Sequence, residues 1–101
     1  MDTTTVKLVT IVCEAVLRER LIAELGRLGV KGFTLSEVTG EGSRHLRSSE
    51  VPGDNIKLET IVGPKHCDQL LTILAGEYFP NYAMIAYVSD VQVIRGEKYG
   101  D

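Results

Sequence analysis

The residues best equipped for chemistry in this chain sit together in "GEGSRHLRSS", residues 40–49. Gly40 and Gly42 let backbone amides come close to a ligand, Ser43, Ser48 and Ser49 offer hydroxyl donors, and Arg44 and Arg47 each present a rigid guanidinium fork suited to phosphate oxygens. A charge-assisted contact contributes about 1.5–3 kcal/mol, so two arginines plus main-chain donors supply much of the roughly 8 kcal/mol of micromolar binding. Ordering the segment consumes part of that gain. The opposing reading is a solvated loop whose arginines only keep it soluble.

Other site chemistry is thinner. "GEGSRHL" has no Gly-Lys-Ser/Thr, so it is not a Walker A loop, and it lacks the third glycine of a dinucleotide fingerprint. His45 and His66 are not spaced with Cys13 or Cys67 as a zinc set, and no Ser-His-Asp order stands out. His66 is expected on a helix surface. No metal ligands or catalytic residues are assigned.

The elements that must position the loop follow from periodicity. Residues Val6 to Cys13 are apolar on both faces and read as a buried strand. From Glu14 to Leu28, Leu17, Leu21, Leu25 and Leu28 recur at helical spacing with Arg18, Glu19, Arg20 and Glu24 between them, and Gly29 is a natural stop. "KGFTLSEV" predicts a second strand, the seventeen residues from Thr39 to Asn55 show no periodicity, and "IKLETIV" at 56–62 predicts a third strand. A loop this long inside a compact domain tends to be functional or disordered. "GPKHCDQLLTILAGEYF" predicts a helix with Pro64 in its first turn and Cys67, Leu70, Leu71 and Leu74 inward, closed by Pro80 and Asn81. "YAMIAYVSDVQVI" predicts a final strand, extended or bulged around Ser89 and Asp90.

The order βαβ, loop, βαβ is the split βαβ plan: an α+β, ferredoxin-like βαββαβ sandwich, with residues 1–101 as one domain. Both helices would cover one sheet face. The first and last strands are nevertheless apolar on both faces, Val9 and Ile11 alternating with Leu8 and Val12, and Met84 and Ala86 with Ile85 and Tyr87, so a homo-oligomer is the simplest cover for the second face. The chain has 101 residues, 44% of them hydrophobic, and a formal net charge of -3, which argues against general nucleic-acid binding. Its longest apolar runs are far short of a membrane span and no signal-peptide pattern opens it, so a cytoplasmic protein with two reduced, buried thiols is expected.

With the Gly/Ser/Arg loop between the second and third strands, the chain resembles the PII-like signalling proteins, within them the branch that regulates a cyanobacterial bicarbonate transporter. The resemblance covers nearly the whole chain. It rests on "KGFTLSEVTGEGSRHLRSSE", similar to the family's second strand and exposed T-loop with its Gly-Ser-Arg-x-x-Arg-Ser-Ser core, and on "YFPNYAMIAYVSDVQVIRGE", similar to its final strand. It implies a homotrimer whose open sheet faces meet, with adenine nucleotides (cAMP, AMP, ADP or ATP) bound in the clefts between subunits. By position, Gly42, Ser43, Arg44 and Arg47 would hold phosphate, Thr34, Leu35 and Ser36 with Tyr87 and Val88 across the cleft would surround the nucleoside, and Arg95 in "IRGE" would approach phosphate.

The implied partner is the membrane bicarbonate/sodium symporter SbtA, which the chain would join reversibly at the membrane as nucleotides shift the T-loop between arrangements. A divalent cation with ATP would offset triphosphate charge. No cysteine follows Cys67, so redox control through a cysteine-bearing C-terminal hairpin is not expected. Two competing readings are a weak ATP/ADP phosphohydrolase and a ligand-free oligomerisation module; the lack of an evident acid–base pair favours a non-enzymatic sensor.

Overall fold

The computed structural model describes residues 2–40 and 54–99. Strand β1 (Thr4–Glu14) leads through a 3-10 turn (Ala15–Leu17) into helix α1 (Arg18–Leu28). Strands β2 (Thr34–Val38) and β3 (Asn55–Val62) lie before and after residues 39–54, most of which fall outside the described residues. Helix α2 (Pro64–Ile73) widens into a π-helical turn (Leu74–Tyr78), strand β4 (Ile85–Val93) follows, and a short turn (Gly96–Tyr99) comes after it. The four strands form one sheet in the order β2-β3-β1-β4, every pair antiparallel. This is the expected ferredoxin-like plan.

The helices cover one face of the sheet. Val9, Ile11 and Cys13 of β1 and Ile56, Leu58 and Val62 of β3 meet Leu17, Leu21, Leu25, Cys67, Leu70, Leu74 and Tyr78 in a single buried cluster. The alternation of β1 and β3 supplies the sheet side, and the leucine spacing of α1 supplies the helix side. Both cysteines are buried and unpaired, as expected.

Two local expectations need correction. The first helix does not begin at Glu14: that residue is still extended and pairs with Asn55, so β1 is longer and α1 starts at Arg18 after a 3-10 turn. The second strand starts at Thr34 rather than Lys31, and the main-chain oxygen of Gly32 just before it accepts a 2.7 Å hydrogen bond from the Thr60 hydroxyl. Of the two forms open for β4, the extended one holds, with no bulge. Ser89 sits opposite Leu8, and Asp90 sits opposite Lys7 and accepts its ammonium at 2.7 Å, so a cross-strand pair accounts for the polar residues there. That contact raises the Lys7 pKa, because Asp90 favours the charged ammonium.

Candidate functional site at the β2 edge

The second sheet face carries no helix. Directly opposite residues in an antiparallel pair share a face, so the register reads off rows across the sheet. Thr34 lies opposite Glu59, Glu59 opposite Thr10, and Thr10 opposite Tyr87. The next row is Ser36, Lys57, Val12 and Ile85. Ile85 and Tyr87 are 52% and 48% exposed, so the apolar side of this face is open in the single chain.

The expected site residues divide between the two sheet edges. Thr34 and Ser36 lie on the open face at the β2 edge; Leu35, opposite Leu58, turns its side chain to the core. Tyr87 lies on the open face at the β4 edge, whereas Val88, opposite Val9, faces the helix side. Three strand spacings, about 14 Å, separate the edges. One chain therefore does not bring the Thr34 group to the Tyr87 group. Arg95 is exposed two residues beyond β4. Gly42, Ser43, Arg44 and Arg47 lie outside the described residues.

A cleft of about 390 Å³ opens where β2 begins, in the size range of small-molecule sites. Leu8 and Ile61 give it apolar surface, Phe33 and Tyr99 bring aromatic rings, and Thr34 and Glu59 bring a hydroxyl and a carboxylate. A flat, partly polar ring system suits that mixture. The Glu59 charge disfavours placing a phosphate in the same cleft. Thr60, 2% exposed, ties Gly32 to β3 and so holds the rim. An adjoining cavity of about 360 Å³ shares Gly32, Ile61 and Tyr99 and is also lined by Lys31 and His66, which is partly exposed on α2.

Sequence reasoning singled out neither Phe33, Glu59 nor Tyr99. The alternation of "IKLETIV" places Lys57, Glu59 and Ile61 on one face and was the available signal for Glu59. Nothing local in the sequence places Tyr99, which reaches the cleft because the C-terminal turn packs back against β1.

The long loop starts and ends on paired residues. Val38 lies opposite Asn55, and the oxygen of Asp54 accepts the Ala15 amide at 2.7 Å. Its two ends are thus anchored at the end of the sheet where β1 turns into α1.

The thiols are not poised as nucleophiles. Burial, helped by the Glu14 charge, pushes Cys13 up to about 12, and burial likewise raises Cys67. Among the described residues no three His, Cys, Asp or Glu side chains come together to hold a metal ion, and no helix is long and apolar enough to cross a membrane.

Comparison with known proteins gives this geometry a setting. The family model described as nitrogen regulatory protein P-II matches residues 6–98. The chain belongs to the P-II family. A PII-like signalling protein from Thermus thermophilus is 50% identical over 98% of this chain and 99% of its own, with a TM-score of 0.83. CPII from Thiomonas intermedia, bound to ADP, AMP and acetate, is 26% identical over 98% of both chains, with a TM-score of 0.85. The same CPII bound to ADP and bicarbonate is 26% identical over 97% of both chains, with a TM-score of 0.84. The segment between β2 and β3 is therefore the T-loop of a P-II chain.

Proposed function

We propose that this P-II chain is a nucleotide-responsive signal protein that binds adenine nucleotides in clefts formed between copies of itself. The observation that carries the reading is the base-sized cleft at the β2 edge, beside an open sheet face that separates Thr34 from Tyr87 in one chain. In a homotrimer joined through those faces, Thr34 and Ser36 of one copy, with the main chain of Leu35 between them, meet Tyr87 and the main chain of Val88 of another around the nucleoside. Gly42, Ser43, Arg44 and Arg47 of the T-loop take the phosphate, and Arg95 adds a cation. The ADP and AMP held by CPII support the ligand class.

The finer reading is SbtB-like. cAMP, AMP, ADP and ATP, the last with a divalent cation, compete for the cleft, and each favours its own T-loop arrangement. A ligand shifts that balance only by binding one arrangement more tightly. The membrane bicarbonate transporter SbtA reads the result, so a cytoplasmic protein associates reversibly with the membrane and controls inorganic-carbon uptake.

Isothermal titration calorimetry with cAMP, AMP, ADP and ATP, the last with and without Mg²⁺, tests the ligand class. Micromolar binding is expected, and Arg44→Ala with Arg47→Ala is expected to weaken it at least about tenfold while sedimentation still shows the trimer, since each charge-assisted contact contributes about 1.5–3 kcal/mol. Silence across the panel overturns the reading, and steady phosphate release from ATP replaces the sensor with a hydrolase. Nucleotide-dependent retention on SbtA proteoliposomes tests the partner; equal retention on empty vesicles removes it.

A further inference from the structure

Helix α1 carries a polar stripe that the core does not use. Arg20, Glu24 and Arg27 follow one another at helical spacing, and Arg20 and Glu24 reach Tyr82 and Tyr78, in the stretch that follows α2. Glu24 is only 4% exposed, a costly place for a carboxylate unless its oxygens are bonded. It accepts the Tyr78 hydroxyl at 3.1 Å and pairs with Arg27 at 2.5 Å. Tyr78, wholly buried, closes the π-helical turn, whose wide i to i+5 bond runs from the Phe79 amide to the Leu74 oxygen at 2.9 Å.

The chain then folds back on that tyrosine. The amides of Asn81 and Tyr82 both donate to the main-chain oxygen of Tyr78, at 3.0 and 2.9 Å. The Arg20 guanidinium lies 4.7 Å from the centre of the Tyr78 ring and 5.7 Å from that of Tyr82, and its Nη1 donates to the Tyr82 hydroxyl at 3.0 Å. A planar guanidinium holds two rings and a hydroxyl together in a way an ammonium does not. Three residues after Tyr82 the chain enters β4 at Ile85, which pairs with Val12, and two residues later it reaches Tyr87.

We propose that Arg20 is a positioning residue for the ligand cleft, acting through Tyr82 on the entry of β4 and so on where Tyr87 is presented. This rests on the reading that Tyr87 closes a nucleotide cleft against a second copy. Arg20 touches no ligand itself. Its effect is transmitted by the short stretch from Tyr82 to Tyr87, which cannot absorb a large shift at one end without moving the other.

The test compares wild type, Arg20→Lys, Tyr82→Phe and the double variant by ADP calorimetry, sedimentation and thermal melting. Arg20→Lys keeps the charge and Tyr82→Phe keeps the ring, so both are expected to fold. Each is expected to weaken ADP binding about threefold to tenfold with the oligomer and the stoichiometry unchanged. The double variant is expected to lose no more than the worse single, because the two changes break one contact. A merely structural role lowers the melting temperature and leaves the affinity of the folded protein alone, and that result overturns the inference. Losses that multiply in the double variant overturn it too. A wild type that binds no nucleotide defeats the nucleotide reading together with this one, whereas a binding wild type with unaffected variants defeats this one alone.

Discussion

Cys13 shows what burial does to a reactive group. Its side chain is fully enclosed between the sheet and the helices, and the thiol is pushed up to about 12 from an ordinary 9.0. Below pH 9 folded and unfolded chains both hold the proton and the burial contributes in full. Above it the unfolded chain ionises first, so stability is lost between about pH 9 and pH 12. Cys67 and Tyr78 are raised as well and add to the same alkaline slope. For Tyr78, burial is the main cause, followed by its hydrogen bond to Glu24. Urea midpoints at pH 8 and pH 10 are expected to fall with pH, and a thiol reagent at pH 8 is expected to find no reactive cysteine until denaturant is added. Thr60 makes a comparable point about polar burial. Thr60→Val strips the Gly32 oxygen of its 2.7 Å donor and is expected to cost about 1–3 kcal/mol in denaturant titration.

At the scale of elements, helix ends and strand pairs decide more than propensity. Gly29 caps α1 with φ at 85°, in the left-handed region, while the Val30 amide returns to the Leu25 oxygen at 2.9 Å. A side chain there is strained by the backbone alone, since its Cβ would meet only the His66 Nε2 at 3.8 Å, an ordinary contact. Gly29→Ala is therefore expected to destabilise the fold by about 1–2 kcal/mol, read as a shift in the denaturant midpoint. The stop at Gly29 was legible from composition. The sequence leaves β4 either extended or bulged at Ser89 and Asp90, and only the register, with Lys7 across from Asp90, decides for the extended form.

For the whole molecule, the open sheet face is the main energetic problem of a single chain. Half-exposed Ile85 and Tyr87 continue an apolar surface across Val12 toward Leu8, which of the helices and turns only the C-terminal turn carrying Tyr99 approaches. Placing a charge there tests whether copies of the chain provide the cover. Tyr87→Asp is expected to shift the protein toward monomer in sedimentation and to abolish nucleotide binding with it, because the proposed site takes Thr34 from one copy and Tyr87 from another. A Tyr87→Asp protein that stays fully assembled contradicts that arrangement. Arg44→Ala with Arg47→Ala is expected to do the opposite, losing ligand while keeping the assembly.

Local pattern determined which segments form strands and helices, where α1 stops, that both thiols are buried, and that the serines and arginines of "GEGSRHLRSS" gather between the second and third strands. These are short-range consequences of period and residue type, readable without knowing what lies across the fold. Strand order, register and the burial of Glu24 were decided only in the tertiary structure. Alternation assigns a side chain to a face but not to a neighbour, so the row Thr34, Glu59, Thr10, Tyr87 exists only once three strand pairings are set. Glu24 reads as a solvent-facing helix residue until Tyr78, fifty-four positions away, supplies the hydroxyl that lets its carboxylate be buried.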